Sequence, residues 1–174
     1  MIAAFDVHYP AYGRSCAAAV IFSAYSAPAP DRILTRLVPR PVGYVPGAFY
    51  KRELPCILAL LDQFEQMPSE IIVDGYAWLG KRPGLGQHLF EALERRIPVI
   101  GVAKSAFAGA AAQELLRGGS RRPLYITAAG MPVETAARNI SRMHGPHRIP
   151  TLIGLVDQVA RGKARQTGGS SACS

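Results

Sequence analysis

Apolar residues follow two periodicities along this chain of 174 residues, and their order predicts the fold. Runs of β-branched or small apolar residues, bounded by glycine, proline or aspartate, predict strands. The predicted strands are Met1–His8, Cys16–Tyr25, Ile33–Val38, Ile71–Val73, Ile97–Ser105 and Leu124–Thr127. Apolar residues at helical spacing predict helices from about Glu53 to Gln66, around Leu85–Leu93, and over Pro132–Met143 and Thr151–Arg161.

The order of these elements predicts an α/β domain. The first three strands, joined by Gly/Pro-rich turns, predict an antiparallel meander, and strand–helix alternation follows it. A mixed sheet with flanking helices is the arrangement of ribonuclease-H-like folds, although a fold alone does not determine the chemistry. We expect one domain over residues 1–161. The small, polar residues 162–174 lack periodicity, which predicts a disordered C-terminal tail.

The charge balance favours a polyanionic partner. Lysine and arginine outnumber aspartate and glutamate by 20 to 12, for a net charge of +8. Such an excess favours phosphate contacts, with nucleic acid as the first candidate and an anionic membrane surface as the second. There is no apolar run of the roughly 20 residues that a membrane span requires, and no signal-peptide pattern. We therefore expect a cytoplasmic protein without a membrane partner.

Two aspartates lie at or near the ends of apolar strands. Asp6 lies in "AAFDVHY" and Asp74 in "IIVDGY". If the two strands are neighbours, the carboxylates converge and repel each other unless a cation lies between them. Hard oxygen ligands with open water positions suit magnesium or manganese. Taken singly, either aspartate is also typical of a plain turn or loop cap.

A third carboxylate, Glu53, lies in the segment "YVPGAFYKRELP", residues Tyr44–Pro55. With the adjacent basic pair, Lys51 and Arg52, it would complete an acidic metal site with cations placed for phosphate. A surface helix start with solvated charges is an adequate alternative. The Tyr-Val-Pro-Gly loop is better explained by recognition, because it holds Tyr44 on a rigid turn where the ring can stack on a base.

The segments "FDVHY", "YVPGAFYKRELP", "IIVDGY" and "VIGVAKS", followed by a C-terminal helix with an aspartate, resemble the endonuclease V family in residue type and order. The resemblance covers the chain to about Arg161. It implies a ribonuclease-H-like fold and magnesium-dependent hydrolysis of a phosphodiester bond on the 3′ side of deoxyinosine or inosine. The role would be repair of deaminated adenine. DNA, or RNA, containing inosine would be the partner of a monomeric enzyme, and Mn²⁺ could replace Mg²⁺.

The resemblance also implies residue roles. Its catalytic positions fall on Asp6, Glu53, Asp74, Lys104 and Asp157, and all of these except Lys104 are its metal ligands. Its substrate-binding positions fall on Tyr44, Pro46, Gly47, Gly75, Arg82 and His88. Tyr44 matches the aromatic wedge that fills the gap left by the extruded base. For Asp157, Lys104 and His88, the alternatives are a solvated helix acid, an ordinary strand-end cation and a core histidine.

The chain departs from the family pattern at the rim of this site. Tyr76 and Gly80 stand where the family usually carries histidines, and Gly130 and Met131 replace its Gly-His pair. We expect metal binding to survive these changes, while they affect substrate preference. Two other functions stay open: an idle nucleic-acid-binding module of the same fold, and a nuclease for flaps or junctions. Carboxylates aimed at nucleic acid favour an enzyme over the idle module.

Overall fold

The structure is a computed structural model that describes residues 1–10, 14–39 and 50–163. Its strands are β1 (Ile2–His8), β2 (Ser15–Phe22), β3 (Arg32–Val38), β4 (Glu70–Asp74), β5 (Trp78–Leu79), β6 (Arg82–Pro83), β7 (Val99–Ala103), β8 (Gln113–Leu115) and β9 (Leu124–Ala129). Its helices are α1 (Tyr50–Leu61), α2 (Leu85–Ala92), α3 (Val133–Ser141) and α4 (Thr151–Ala160).

Within the described residues, seven strands form one mixed sheet in the order β3-β2-β1-β4-β7-β9-β8, and β5 pairs with β6 in a small separate hairpin. The pairs β1–β2 and β2–β3 are antiparallel, which confirms the predicted initial meander. The pairs β1–β4 and β4–β7 are parallel. Helices cover both faces of these central strands, so their side chains form continuous apolar runs. The predicted α/β fold is therefore confirmed.

Two apolar clusters hold the three layers together. On one face of the sheet, α1 and α2 contribute buried residues such as Ile57, Leu60 and Leu89. On the other face, α3 and α4 contribute residues such as Ile140 and Leu152. Among residues 1–10, 14–39 and 50–163, no helix has the length and apolar character required to span a bilayer.

The structure corrects several predicted bounds. Helix α1 begins at Tyr50, three residues before the predicted start at Glu53. It ends at Leu61, five residues before the predicted end at Gln66. Strand β2 stops at Phe22, where a turn begins, instead of continuing to Tyr25. The hairpin β5–β6 and the edge strand β8 were not predicted, because elements of two or three residues carry no periodic signal. Of the predicted disordered tail, Gly162 and Lys163 are described and form backbone hydrogen bonds to the end of α4, and the residues beyond Lys163 lie outside the described part of the chain.

Candidate active site

Strand register brings Asp6 and Asp74 together. Ala4 of β1 is paired with Ile72 of the parallel strand β4. Both residues pack in the cluster on the α3–α4 face. Side chains two residues further along a strand return to the same face, so Asp6 and Asp74 lie side by side at the carboxyl end of both strands. The convergence predicted from the two strand ends is therefore present in the fold.

Lys104 joins this pair from the next strand. Asp74 is paired with Val102 of β7, and Lys104 follows two residues later on the same face. Its Nζ donates to Oδ2 of Asp74 at 2.6 Å. Both side chains are a little over one-third exposed, at 38% and 36%. The ammonium is thus held beside the acids while it still reaches solvent.

The neighbouring acids and burial change the pKa of Asp6. Burial, followed by the charge of Asp74, raises the pKa of Asp6 to about 6, and Asp157 adds to the rise. Lys104 and a backbone hydrogen bond from Val7 act in the opposite direction. Two neighbouring anions cost free energy unless a cation or a proton compensates one of them. The edge of the sheet is therefore a place where positive charge is favoured.

Glu53 approaches the same charges from α1. Its residue is only 6% exposed, although it lies in the first turn of the helix. Burial, with smaller contributions from the charges of Asp6 and Asp74, raises the pKa of Glu53 well above its ordinary value. Arg52, whose guanidinium lies 4.2 Å from the centre of the Tyr9 ring, offsets part of this rise. The exposed helix start considered from the sequence is thereby excluded for Glu53.

Asp157 projects from α4 on the face shared by Asp6 and Asp74. Its charge affects the pKa values of both Asp6 and Lys104. The carboxylate accepts a hydrogen bond from Nε of Arg161 at 3.0 Å, one helical turn later. Among the described residues, no three histidine, cysteine, aspartate or glutamate side chains are arranged as a group that could hold a metal ion.

A pocket with a volume of about 270 Å³ opens next to Asp74. Its described lining consists of Tyr50, Asp74, Gly75, Tyr76, Leu79, Pro83, Gly84, Leu85 and Phe107. The ring of Tyr50 stacks on His88 with 3.6 Å between the ring centres, so His88 supports the pocket from outside its described lining. Gly75 lines the pocket at φ +119°, whereas Arg82 is exposed on β6 and does not line it.

A close crossing of the backbone fixes the pocket wall. The segment from Gly75 to Ala77 passes over Gly101 in the centre of β7, where a Cβ would lie 2.5 Å from the Ala77 nitrogen. The buried hydroxyl of Thr127 on β9 accepts a hydrogen bond from that nitrogen at 2.7 Å. The side chain of Gly101 is therefore missing for a steric reason, and the wall is attached to the sheet.

Sequence reasoning missed most of the pocket. Tyr50, Leu79 and Phe107 come from three separate segments, and only the tertiary fold places them together. Phe107 did carry a signal, since it is a large apolar residue shortly after a strand-end lysine and is 49% exposed. Tyr44, Pro46 and Gly47, which were predicted to bind substrate, lie outside the described residues.

The sequence model of the family described as Endonuclease V matches residues 1–154. The chain belongs to the Endonuclease V family. Endonuclease V of Xylella fastidiosa is 34% identical over 146 residues, which cover 83% of this chain and 58% of that protein. The chain spans about half the length of the first curated Endonuclease V relatives that it matches. The predicted family is therefore confirmed.

Solved Endonuclease V structures share the fold. The Streptomyces avermitilis enzyme superposes with a TM-score of 0.78 at 25% identity, covering 92% of this chain and 79% of that chain. The Ciona intestinalis enzyme superposes with a TM-score of 0.77 at 20% identity, covering 92% and 83%. That structure is a complex with a 24mer DNA containing an inosine followed by a ribo-adenosine. The ribonuclease-H-like arrangement predicted from element order is thus confirmed.

Proposed function

We propose that this chain is a metal-dependent endonuclease that hydrolyses a phosphodiester bond on the 3′ side of deoxyinosine or inosine. One observation carries the proposal: Asp74 both couples to the acids at the sheet edge and lines the adjacent pocket. A base held in that pocket would place its own strand against the acids. The repair role for deaminated adenine follows from that substrate.

The chemistry of the donor set fits a hard divalent cation. Mg²⁺ characteristically uses one or two protein carboxylates together with waters and substrate phosphate oxygens, so it does not require a closed group of three protein ligands. Asp6 and Asp74 would hold the ion, with Glu53 and Asp157 as further oxygen donors around it. When bound, the ion would lower the pKa of water and stabilise charge on the phosphate. Mn²⁺ would suit the same oxygen donors.

Lys104 and Glu53 would have separate roles in the hydrolysis. Lys104 would neutralise a phosphate oxygen, since its ammonium lies at the acids and remains partly exposed. Glu53 would position the attacking water, because its carboxyl is buried next to Asp6 and Asp74 and burial raises its pKa well above the ordinary value. The water oxygen bonds to phosphorus as the bond from phosphorus to the 3′ oxygen breaks. The products are a 3′-hydroxyl and a 5′-phosphate.

The pocket would receive the extruded base. At about 270 Å³ it is at the small end of ligand pockets, which suits one base. Gly75 would let the base approach the backbone closely, because a Cβ there would have nothing within 4 Å, whereas Gly84 lets the pocket wall pack on the Tyr76 carbonyl oxygen. Extrusion costs a few kcal/mol and less at a mispaired base, which by itself favours deaminated sites. Tyr44, which precedes Pro46 and Gly47 in the sequence, would fill the gap that the base leaves in the stack.

DNA is the partner we propose first, and inosine-containing RNA has the same base chemistry. A monomer is sufficient, because the described acids and pocket come from one chain. The cytoplasmic location expected from the sequence stays a prediction. Arg82, exposed on the hairpin β5–β6, would contact phosphate at the rim of the pocket.

The test is cleavage of matched single- and double-stranded oligonucleotides, with and without inosine, in magnesium. The proposal requires cleavage only of the inosine strands, at one position on the 3′ side, and loss of cleavage when EDTA removes the metal. Asp74→Ala serves as the control against contaminating nuclease. Binding without cleavage would identify an idle module, and equal cleavage of flaps or junctions lacking inosine would identify a structure-specific nuclease.

A further inference from the structure

A basic loop, residues 117–122 with the sequence "RGGSRR", lies at the same end of the sheet as the acids. It connects β8 to β9. Strand β9 runs antiparallel to β7, with Ala103 paired with Tyr125. The amino end of β9 therefore lies beside the carboxyl end of β7, where Lys104 follows. Arg121 and Arg122 precede that end directly.

Arg148 fixes the distance between this loop and Lys104. One terminal nitrogen, Nη2, donates to the carbonyl oxygen of Lys104 and, at 2.7 Å, to that of Pro123. Two acceptors of one nitrogen lie within about 6 Å of each other, because each hydrogen bond spans about 3 Å. The residue immediately before Pro123 is Arg122. The basic loop is thus held beside the lysine of the candidate site.

Arg117 anchors the other end of the loop. Its guanidinium donates to the carbonyl oxygens of Met143 at 2.5 Å, His147 at 2.7 Å and Gly145 at 3.2 Å. Next to it, Gly118 packs so closely on the His147 backbone that a Cβ would lie 2.3 Å from the carbonyl carbon. The guanidinium of Arg117 is therefore occupied by hydrogen bonds to backbone carbonyl oxygens of the protein itself. The loop itself is held at both ends.

Arg121 and Arg122 are the cations of the loop that remain available to a partner. Both are exposed, and neither forms an ion pair with an acid in the described part of the chain. Arginine side chains present a planar fork that matches phosphate oxygens. A pair of such side chains on an anchored loop, next to the lysine that we propose neutralises a phosphate oxygen, is suited to binding successive phosphates of a nucleic acid strand.

We propose that Arg121 and Arg122 form a contact surface for the phosphate backbone of nucleic acid that flanks the cleaved bond. This surface rests on the proposed function, because Lys104 locates the cleaved phosphate beside it. The contacts are to phosphate alone. They therefore increase the affinity for undamaged and inosine-containing strands equally, and carry no base information.

The test is the salt dependence of duplex binding, measured by fluorescence anisotropy with a labelled duplex in calcium. Arg121→Gln combined with Arg122→Gln should reduce the slope of log affinity against log salt by about 2, since each lost phosphate contact removes about 0.9. The reduction should be the same for duplexes with and without inosine. Arg121→Lys with Arg122→Lys keeps both charges and should keep most of the slope.

The matched control is Arg95→Gln combined with Arg96→Gln. These residues precede the amino end of β7, at the opposite end of the sheet, and pair with Glu91 and Glu94. The change in net charge is identical, so an unchanged slope is expected. An equal loss of slope in this control would mean that the net charge of the protein, and not the position of the arginines, determines the salt dependence of binding. That result would overturn the proposed surface.

Cleavage is measured separately, so that the two proposals can fail independently. If the parent protein cuts inosine strands but the Arg121 and Arg122 variant keeps the full slope, the surface is wrong and the endonuclease stands. If the slope falls but inosine strands are not cut, the surface stands and the proposed activity is wrong. Absence of parental binding to duplex or single strand at low salt would overturn the surface outright.

Discussion

Replacing Asp6 with asparagine should stabilise the protein at neutral pH when no metal is bound. Asp6 is held beside Asp74 at the buried edge of the sheet, and its pKa is raised from 3.8 to about 6. Asparagine has nearly the same shape and lacks the charge. The substitution therefore removes a carboxylate whose ionisation costs free energy in the folded state and costs none in the unfolded chain.

The magnitude follows from linkage. Between about pH 4 and pH 6 the unfolded carboxyl has lost its proton while the folded one retains it, so the free energy of unfolding of the parent falls as pH rises. Above pH 6 the loss is complete. A shift of about two pKa units corresponds to about 3 kcal/mol as an upper limit. Asp6→Asn should avoid most of this loss.

The assay is urea unfolding in EDTA, followed by circular dichroism at pH 4 and at pH 7.5. Asp6→Asn should unfold at a higher urea concentration than the parent at pH 7.5, and close to the parent at pH 4. Asp31→Asn is the control, because Asp31 is exposed and distant in sequence from the acids. Asp31→Asn should behave like the parent at both pH values.

Two results would refute the reasoning. Equal stability of Asp6→Asn and parent at pH 7.5 would mean that burial and Asp74 do not penalise the charge of Asp6. A stability difference that persisted undiminished at pH 4 would mean that asparagine acts through packing or hydrogen bonding and not through charge.

Four further outcomes are expected from the proposed function. Asp74→Asn should reduce turnover of an inosine oligonucleotide by more than about 100-fold, exceeding the loss typical of an outer-shell partner, while anisotropy in calcium shows retained binding. Glu53→Gln should likewise bind and not cut, whereas Tyr44→Ala should lose about 1–3 kcal/mol of preference for inosine strands in competition binding. Gly84→Ala should weaken binding to inosine strands more than to undamaged ones, because its Cβ would meet the Tyr76 carbonyl oxygen at 2.4 Å; equal weakening would place the base elsewhere.

The sequence predicted the strands and helices that show a regular apolar pattern over several consecutive residues. The apolar runs ending at Asp6 and Asp74 specified two buried strands, and parallel pairing then placed both acids on one face. The burial of Glu53 could not be read from the sequence, since a charged first turn is compatible with an exposed helix start. Its surroundings come from Tyr9 and Cys56 as well as from the strand ends.

The contacts of Arg117 and the lining of the pocket could not be predicted from the sequence either, because both depend on contacts between distant segments. Nothing in "LLRGGSRRP" distinguishes Arg117, which is consumed by backbone carbonyls, from Arg121, which is exposed. The distinction arises from contacts between segments about 30 residues apart. The pocket likewise depends on the crossing above Gly101, a residue that a local interpretation treats only as a weak point in a strand.

The position of Asp74 has a kinetic consequence. One side chain forms part of the pocket wall and also pairs with Lys104, and the following backbone is attached to the sheet through Thr127. In the proposed complex, a poorly fitting base in the pocket would displace Asp74 and, through their ion pair, the ammonium of Lys104 that we propose neutralises the phosphate. Discrimination between bases would then fall on the rate of bond breaking more than on affinity, so that incorrect sites are bound, left intact and released.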